Sequence, residues 1–154
     1  MRRVQITNKS ENYNPDVKDL KTFAKPEASK RFLSRALRGH YLFEELGEED
    51  MGRIVECMRP TFCSKTEIII QEGTLGDLFF CLEEGTAEAV VEGVGPVVNY
   101  ESGGCFGELA LMYDAPRAAT VTCTQNCLCW YDYIFRCFYA VFMNLTFYPD
   151  TLLK

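Results

Sequence analysis

The chain has 154 residues, with 16 Lys and Arg against 22 Asp and Glu, one His and eight Cys. That length supports one domain with a real core rather than two, and a formal charge of −6 excludes nonspecific phosphate-backbone binding as a main activity. The charge is unevenly spread: residues 1–40 hold ten Lys/Arg and four Asp/Glu, residues 41–154 six and eighteen, so a segment of about +6 precedes a body of about −12.

Residues 1–25 are polar and basic and read as a flexible segment. Met1-Arg2-Arg3 leads into polar residues rather than an apolar run, so no secretory leader is expected. From Pro26 a helix begins. Pro26 suits its first turn, Phe32, Leu33, Ala36 and Leu37 form one apolar face, and Gly39 can end it. His40 follows with no partner motif around it and reads as a helix-end or surface histidine. One imidazole is too few for a cupin-type metal site, a zinc hydrolase or a Ser/His/Asp triad without well-placed partners. A second helix is expected from Glu48 to Met58. Its acidic start favours the positive end of the helix dipole, and Met51, Ile54, Val55 and Met58 make one buried stripe.

From Thr61 to Tyr131 the period shortens. Strands are expected at Glu67–Gln71, Leu78–Leu82, Ala87–Glu92, Pro96–Tyr100, Ala119–Thr124 and Cys127–Tyr131, punctuated by glycines. The cysteines sit inside these apolar runs, as free thiols do in a reducing cytosol, so the chain is placed in the cytoplasm. Cys123, Cys127 and Cys129 lack the spacing and the histidine of a zinc site, and no metal is expected. After Asp132, read as an N-cap, a helix is expected from residue 133 to about Leu145. It is apolar on nearly every face, so a partner should cover it. Arg136, Asn144 and Thr146 interrupt this stretch, so it is not a membrane span. The fold class is mainly β (α+β): a jelly-roll-like β-barrel over 61–131, flanked by N-terminal helices within 26–58 and a C-terminal helix.

One segment breaks the strand rhythm, Gly103 to Val121. Gly107-Glu108-Leu109-Ala110-Leu111-Met112 places helix formers straight after a Gly-rich turn. A short helix there would point free backbone N–H groups outward, and glycine admits a close ligand. Between Lys65 and Arg136 the sole basic residue is Arg117. An unpaired buried charge is costly, and a guanidinium fork suits a phosphate oxygen pair. Glu108 can accept a sugar hydroxyl hydrogen. Two readings of these residues stand: a pocket for a small anionic sugar phosphate, or a solvated turn in which Arg117 pairs surface acids. No nucleophile stands beside a base, so no enzyme is expected.

The string FGELALMYDAPRAATV resembles the phosphate-binding cassette of cyclic nucleotide-binding domains, most like those of the regulatory subunits of cAMP-dependent protein kinase. The block Ile68-Ile69-Ile70-Gln71-Glu72-Gly73, then Gly76-Asp77-Leu78-Phe79-Phe80 and Gly85, resembles the family's preceding strands, and Leu42-Phe43-Glu44-Glu45-Leu46 its entry. The resemblance implies a single cyclic nucleotide-binding domain over 26–154. It implies that Arg117 binds the exocyclic phosphate oxygens and Glu108 the ribose 2′-hydroxyl. The amides of Gly107, Ala110 and Ala118 would line the phosphate, with Phe106, Leu109 and Ala119 completing the ligand-binding set. Leu109 would relay the motion, and Asp77 would pair with Arg117; by itself Asp77 reads equally well as a turn residue.

The implied ligand is cAMP rather than cGMP, because Ala118 offers no hydroxyl to a guanine amino group. No cofactor is implied. The implied partner is a protein kinase catalytic subunit, with room for a second cyclic nucleotide-binding domain or a second copy of the chain. Phe142, Phe147 and Tyr148 are candidates for a lid over the base. Arg2-Arg3-Val4-Gln5-Ile6 resembles a pseudosubstrate, with Gln5 in place of a hydroxyl, but five residues at a chain end read more readily as a solvated tail. The alternatives are a domain of a cGMP-dependent kinase and a degenerate scaffold. A DNA-binding regulator would need a helix-turn-helix, for which Thr146–Lys154 is too short.

Overall fold

The computed structural model describes residues 22–109 and 115–133. The pseudosubstrate-like stretch, Ala110 with the rest of the expected cassette helix, the candidate lid residues and the expected C-terminal helix all lie outside the described residues.

Helix α1 spans Glu27–Arg38 and α2 spans Glu48–Cys57. Pro26 caps α1 in an extended conformation instead of sitting in its first turn. A residue without a backbone N–H leaves one fewer donor to satisfy at a helix start. Glu27 sits at the positive end of α1, and Arg35 and Arg38 at the negative end. In α2 the expected stripe is buried, from Met51 through Ile54 and Val55 to Met58, which leaves the helix as an extended cap. Phe23 and Lys25, just before α1, contact the fold more closely than the polarity of their segment implied. Phe23 donates its N–H to the Glu56 carbonyl at 2.9 Å, and the Lys25 ammonium stands 5.5 Å from the centre of the Trp130 ring.

Eight strands follow: β1 Arg59–Cys63, β2 Ile68–Ile70, β3 Leu78–Glu84, β4 Ala87–Val91, β5 Gly95–Tyr100, β6 Cys105–Phe106, β7 Thr120–Cys123 and β8 Cys127–Tyr133. They form two four-stranded antiparallel sheets, in the orders β1-β8-β3-β6 and β2-β7-β4-β5. The expected barrel is therefore a two-sheet, jelly-roll-like sandwich whose sheets do not close on each other. β8 also runs further than expected, through Tyr133. Asp132 is thus a strand residue opposite Phe79 and not the cap of a helix.

The period of two sorts the side chains between two cores. On β3, Leu78, Phe80 and Leu82 point between the sheets, where they meet Ile70, Ala89 and Val121 of the second sheet. Phe79 and Cys81 point the other way and pack with Leu33, Leu37, Met51 and Trp130 under the helices. β3 is therefore buried on both faces from Leu78 to Leu82. Each large apolar side chain so buried contributes about 1.5–3 kcal/mol. The seven cysteines among the described residues are free, and six of them are buried. No three His, Cys, Asp or Glu side chains among the described residues converge as metal ligands. No helix among them is long and apolar enough to cross a membrane.

Candidate functional site

Arg117 ties the two sheets together. Its backbone belongs to the lead-in to β7: its N–H donates to the Thr74 carbonyl and its carbonyl accepts from Gly73 N–H, both at 2.8 Å. Its side chain crosses to the other sheet. Nη1 donates to the Gly107 carbonyl at 2.7 Å and Nη2 to the Leu78 carbonyl at 2.8 Å. Gly107 follows β6 and Leu78 opens β3, and these two strands are paired. Gly107 has φ +102, and a Cβ there would stand 2.7 Å from the Leu78 oxygen, so the close approach requires glycine.

Arg117 is buried, 7% exposed as a residue. Burial lowers its pKa from the ordinary arginine value, while the charges of Asp77 and Glu108 push it back up. The expected Asp77–Arg117 pair is not a contact ion pair. Backbone carbonyls hold the fork instead, and Asp77 acts through its charge, with its Oδ1 buried and without a hydrogen-bond partner. The difference matters chemically. Two carbonyls fix the rotamer without cancelling the positive charge, as a carboxylate in contact would.

A small cavity opens beside this clamp. Of the expected residues, Phe106, Gly107, Glu108 and Leu109 line one side and Arg117, Ala118 and Ala119 another. Asp77 does not line it. Ile70, Ala89, Tyr100 and Val121 complete the wall. Sequence reading missed these four as site residues, although they sit on expected strands, Ile70 on β2, Ala89 on β4, Tyr100 on β5 and Val121 on β7. Phe106 floors the cavity, stacked on Phe80 at 5.5 Å and against Tyr100 at 4.7 Å. Burial raises the Tyr100 pKa, and the nearby Glu108 charge adds to the effect. The lining is mostly apolar with few polar groups, as in ligand pockets generally.

Glu108 is brought against His40, to which no local pattern links it. His40 Nε2 stands 3.4 Å from Glu108 Oε1, and the two side chains are 11% and 13% exposed. His40 does follow the end of α1, as expected, but it is not a surface histidine.

A fixed, desolvated cation and a carboxylate therefore face one apolar cavity. Residues 60–131 match the family model of the cyclic nucleotide-binding domain. A cAMP-dependent protein kinase regulatory subunit from Mucor circinelloides f. lusitanicus is 41% identical over 95 residues, 62% of this chain and 22% of the relative. The solved "cAMP bound PfPKA-R (141-441)" is similar with a TM-score of 0.74 at 29% identity, over 79% of this chain and 45% of that one. A regulatory subunit of a cAMP-independent protein kinase A from Trypanosoma cruzi, bound to guanosine, is similar with a TM-score of 0.70 at 26% identity, over 81% of this chain and 44% of that one. The chain spans between 21% and 30% of the length of the curated relatives considered.

Proposed function

We propose that this chain, which carries a cyclic nucleotide-binding domain over residues 60–131 and resembles regulatory subunits of cAMP-dependent protein kinase, binds cAMP beside Arg117 and passes that binding on to a kinase catalytic subunit. It has no catalytic step of its own in this reading, needs no cofactor and acts in the cytoplasm. The observation that carries the reading is the state of Arg117. It is buried, fixed by two carbonyls and not neutralised by a contact carboxylate.

A cyclic phosphate carries one negative charge and two exocyclic oxygens, which match the free edge of such a fork. Glu108 faces the same cavity and accepts the ribose 2′-hydroxyl. Ala118 and Ala119 are small, so the backbone amides beside them stay within reach of the phosphate. A neighbour bound to guanosine shows that this fold also takes a nucleoside without a phosphate. Arg117 favours the phosphorylated ligand here, because a nucleoside would leave the desolvated guanidinium without an anion. A ligand shifts an equilibrium only by its differential affinity for two states. In this reading the helices within 26–58 move against the strands to supply the second state, with Leu109 as relay.

Calorimetric titration of the chain with cAMP and cGMP tests the reading. cAMP should bind more tightly, and Ala118→Thr should narrow the gap. Arg117→Lys should weaken cAMP by at least about tenfold, since a point charge cannot reproduce the fork. Lysine is the better test than alanine, because alanine would also remove both cross-sheet hydrogen bonds. A wild-type preference for cGMP overturns the base assignment. Undiminished cAMP affinity in Arg117→Lys overturns the phosphate assignment.

A further inference from the structure

We infer that His40 is the positioning residue for Glu108, and that through it the connection between α1 and α2 helps decide how well the cavity recognises a ribose 2′-hydroxyl; this rests on the proposed cyclic nucleotide reading.

The imidazole is held on several sides. Its ring stacks on Tyr41 at 4.6 Å, lies 5.7 Å from Phe43, and meets the edge of Phe79 at 5.7 Å. Its Nδ1 accepts the N–H of Leu42 at 3.3 Å. A nitrogen that accepts carries no proton, so the proton of the neutral ring sits on Nε2. Nε2 is the atom that faces Glu108 Oε1 at 3.4 Å. The ring therefore presents its Nε2–H toward Glu108 as a fixed donor.

Glu108 gains orientation from this contact. It stands on a short stretch between Gly107 and residue 110, away from any long regular element, and its carboxylate would otherwise sample several rotamers. A donor set on one oxygen fixes the carboxylate plane and leaves the other oxygen free of His40. The same ring is rooted in the helical layer. The His40 N–H donates to the Leu37 carbonyl and its carbonyl accepts from Phe43 N–H, both at 3.0 Å. Phe43 and Phe79 belong to the core under α1 and α2. A change in the seat of these helices therefore moves the group that aims Glu108.

The test compares cAMP with 2′-deoxy-cAMP by titration on the full chain, in wild type, His40→Ala, His40→Gln and Glu108→Ala. Wild type should prefer cAMP. His40→Ala should cut that preference by about fivefold to tenfold, within the range of coupled neighbours, while 2′-deoxy-cAMP affinity stays constant. His40→Gln keeps an N–H donor of similar reach and should restore most of the preference. In the Glu108→Ala background, His40→Ala should have no further effect. A merely structural role would weaken both ligands together. An unchanged preference in His40→Ala, or a larger one showing that His40 competes with the hydroxyl, overturns the inference while leaving cAMP binding in place. Failure of wild type to bind either ligand is a separate result and overturns the cyclic nucleotide reading as well. Should His40→Ala not fold, a preference in His40→Gln as low as in Glu108→Ala overturns it.

Discussion

Gly76 shows how closely the site is built around one side chain. A Cβ on it would stand 2.7 Å from both Nε and Nη2 of Arg117 and 3.0 Å from Cζ. The backbone of Gly76 is not left-handed, so the cost of a side chain there is contact alone. The guanidinium is pinned by two carbonyls and cannot yield without losing one of them. Gly76→Ala should therefore weaken cAMP by about tenfold or more, the scale of one lost charged hydrogen bond, though residue 76 does not line the cavity. Thermal melting should fall as well, by about 3 °C or more, because the hydrogen bond lost belongs to the fold itself. Titration and melting of the same sample check both halves, and intact affinity would show that Arg117 adapts. The residues of the cassette were legible because they are contiguous and chemically unusual, above all a lone arginine in an acidic body. His40 was not legible, because its partner lies 68 positions away and no local pattern joins them. Asp77 was expected as a contact partner from the family resemblance alone, since by itself it reads equally well as a turn residue. The observed carbonyl partners are backbone atoms, and these leave no trace in residue identity.

Between elements, Glu83 of β3 holds the helical layer to the first sheet. Its Oε1 accepts from Ser29 Oγ of α1 at 3.0 Å and its Oε2 from Trp130 Nε1 of β8 at 2.5 Å. Ser29 and Trp130 are both buried. Removing the carboxylate leaves the indole N–H without this acceptor, at a cost of roughly 1–3 kcal/mol. Glu83→Ala should lower the melting temperature by about 4–8 °C, at roughly 2–4 °C per kcal/mol for a chain of this size. Glu83→Gln, which keeps an acceptor oxygen, should lose less. Equal losses would assign the effect to charge rather than to hydrogen bonding. Other elements show where sequence patterns stop. The expected strands from β2 to β5, β7 and β8 lie within a few residues of those found. β1 was missed because Arg59-Pro60-Thr61 lacks an apolar alternation, and its pairing with β8 sustains it instead. β6 was missed because two residues cannot show a period. The helix start expected near Asp132 was a boundary error of local propensity, since pairing with β3 carries β8 through Tyr133.

At the scale of the whole molecule the charge has to be reconciled with an anionic ligand. From Glu67 to Glu108 the chain carries nine acidic residues and no Lys or Arg, and the body beyond residue 40 is about −12. Such a field repels a monoanion at long range. Arg117 attracts it only close in, where burial strengthens the interaction. The two effects separate in kinetics. Salt screens charges farther apart than the Debye length, roughly 10 Å at 0.1 M, and scarcely touches a buried contact. Raising ionic strength should therefore speed association, by about twofold to threefold between low and physiological salt. Dissociation should stay nearly constant, so affinity should rise with salt. Most phosphate sites lined by surface lysines behave the other way. Stopped-flow binding of a fluorescent cAMP analogue across a salt series reads both rates. Association that slows with salt would mean that the field of Arg117 reaches beyond the cavity mouth and outweighs the acidic body. Association that quickens would mean that the body's charge sets the rate of encounter and the one buried guanidinium holds the ligand once it has arrived.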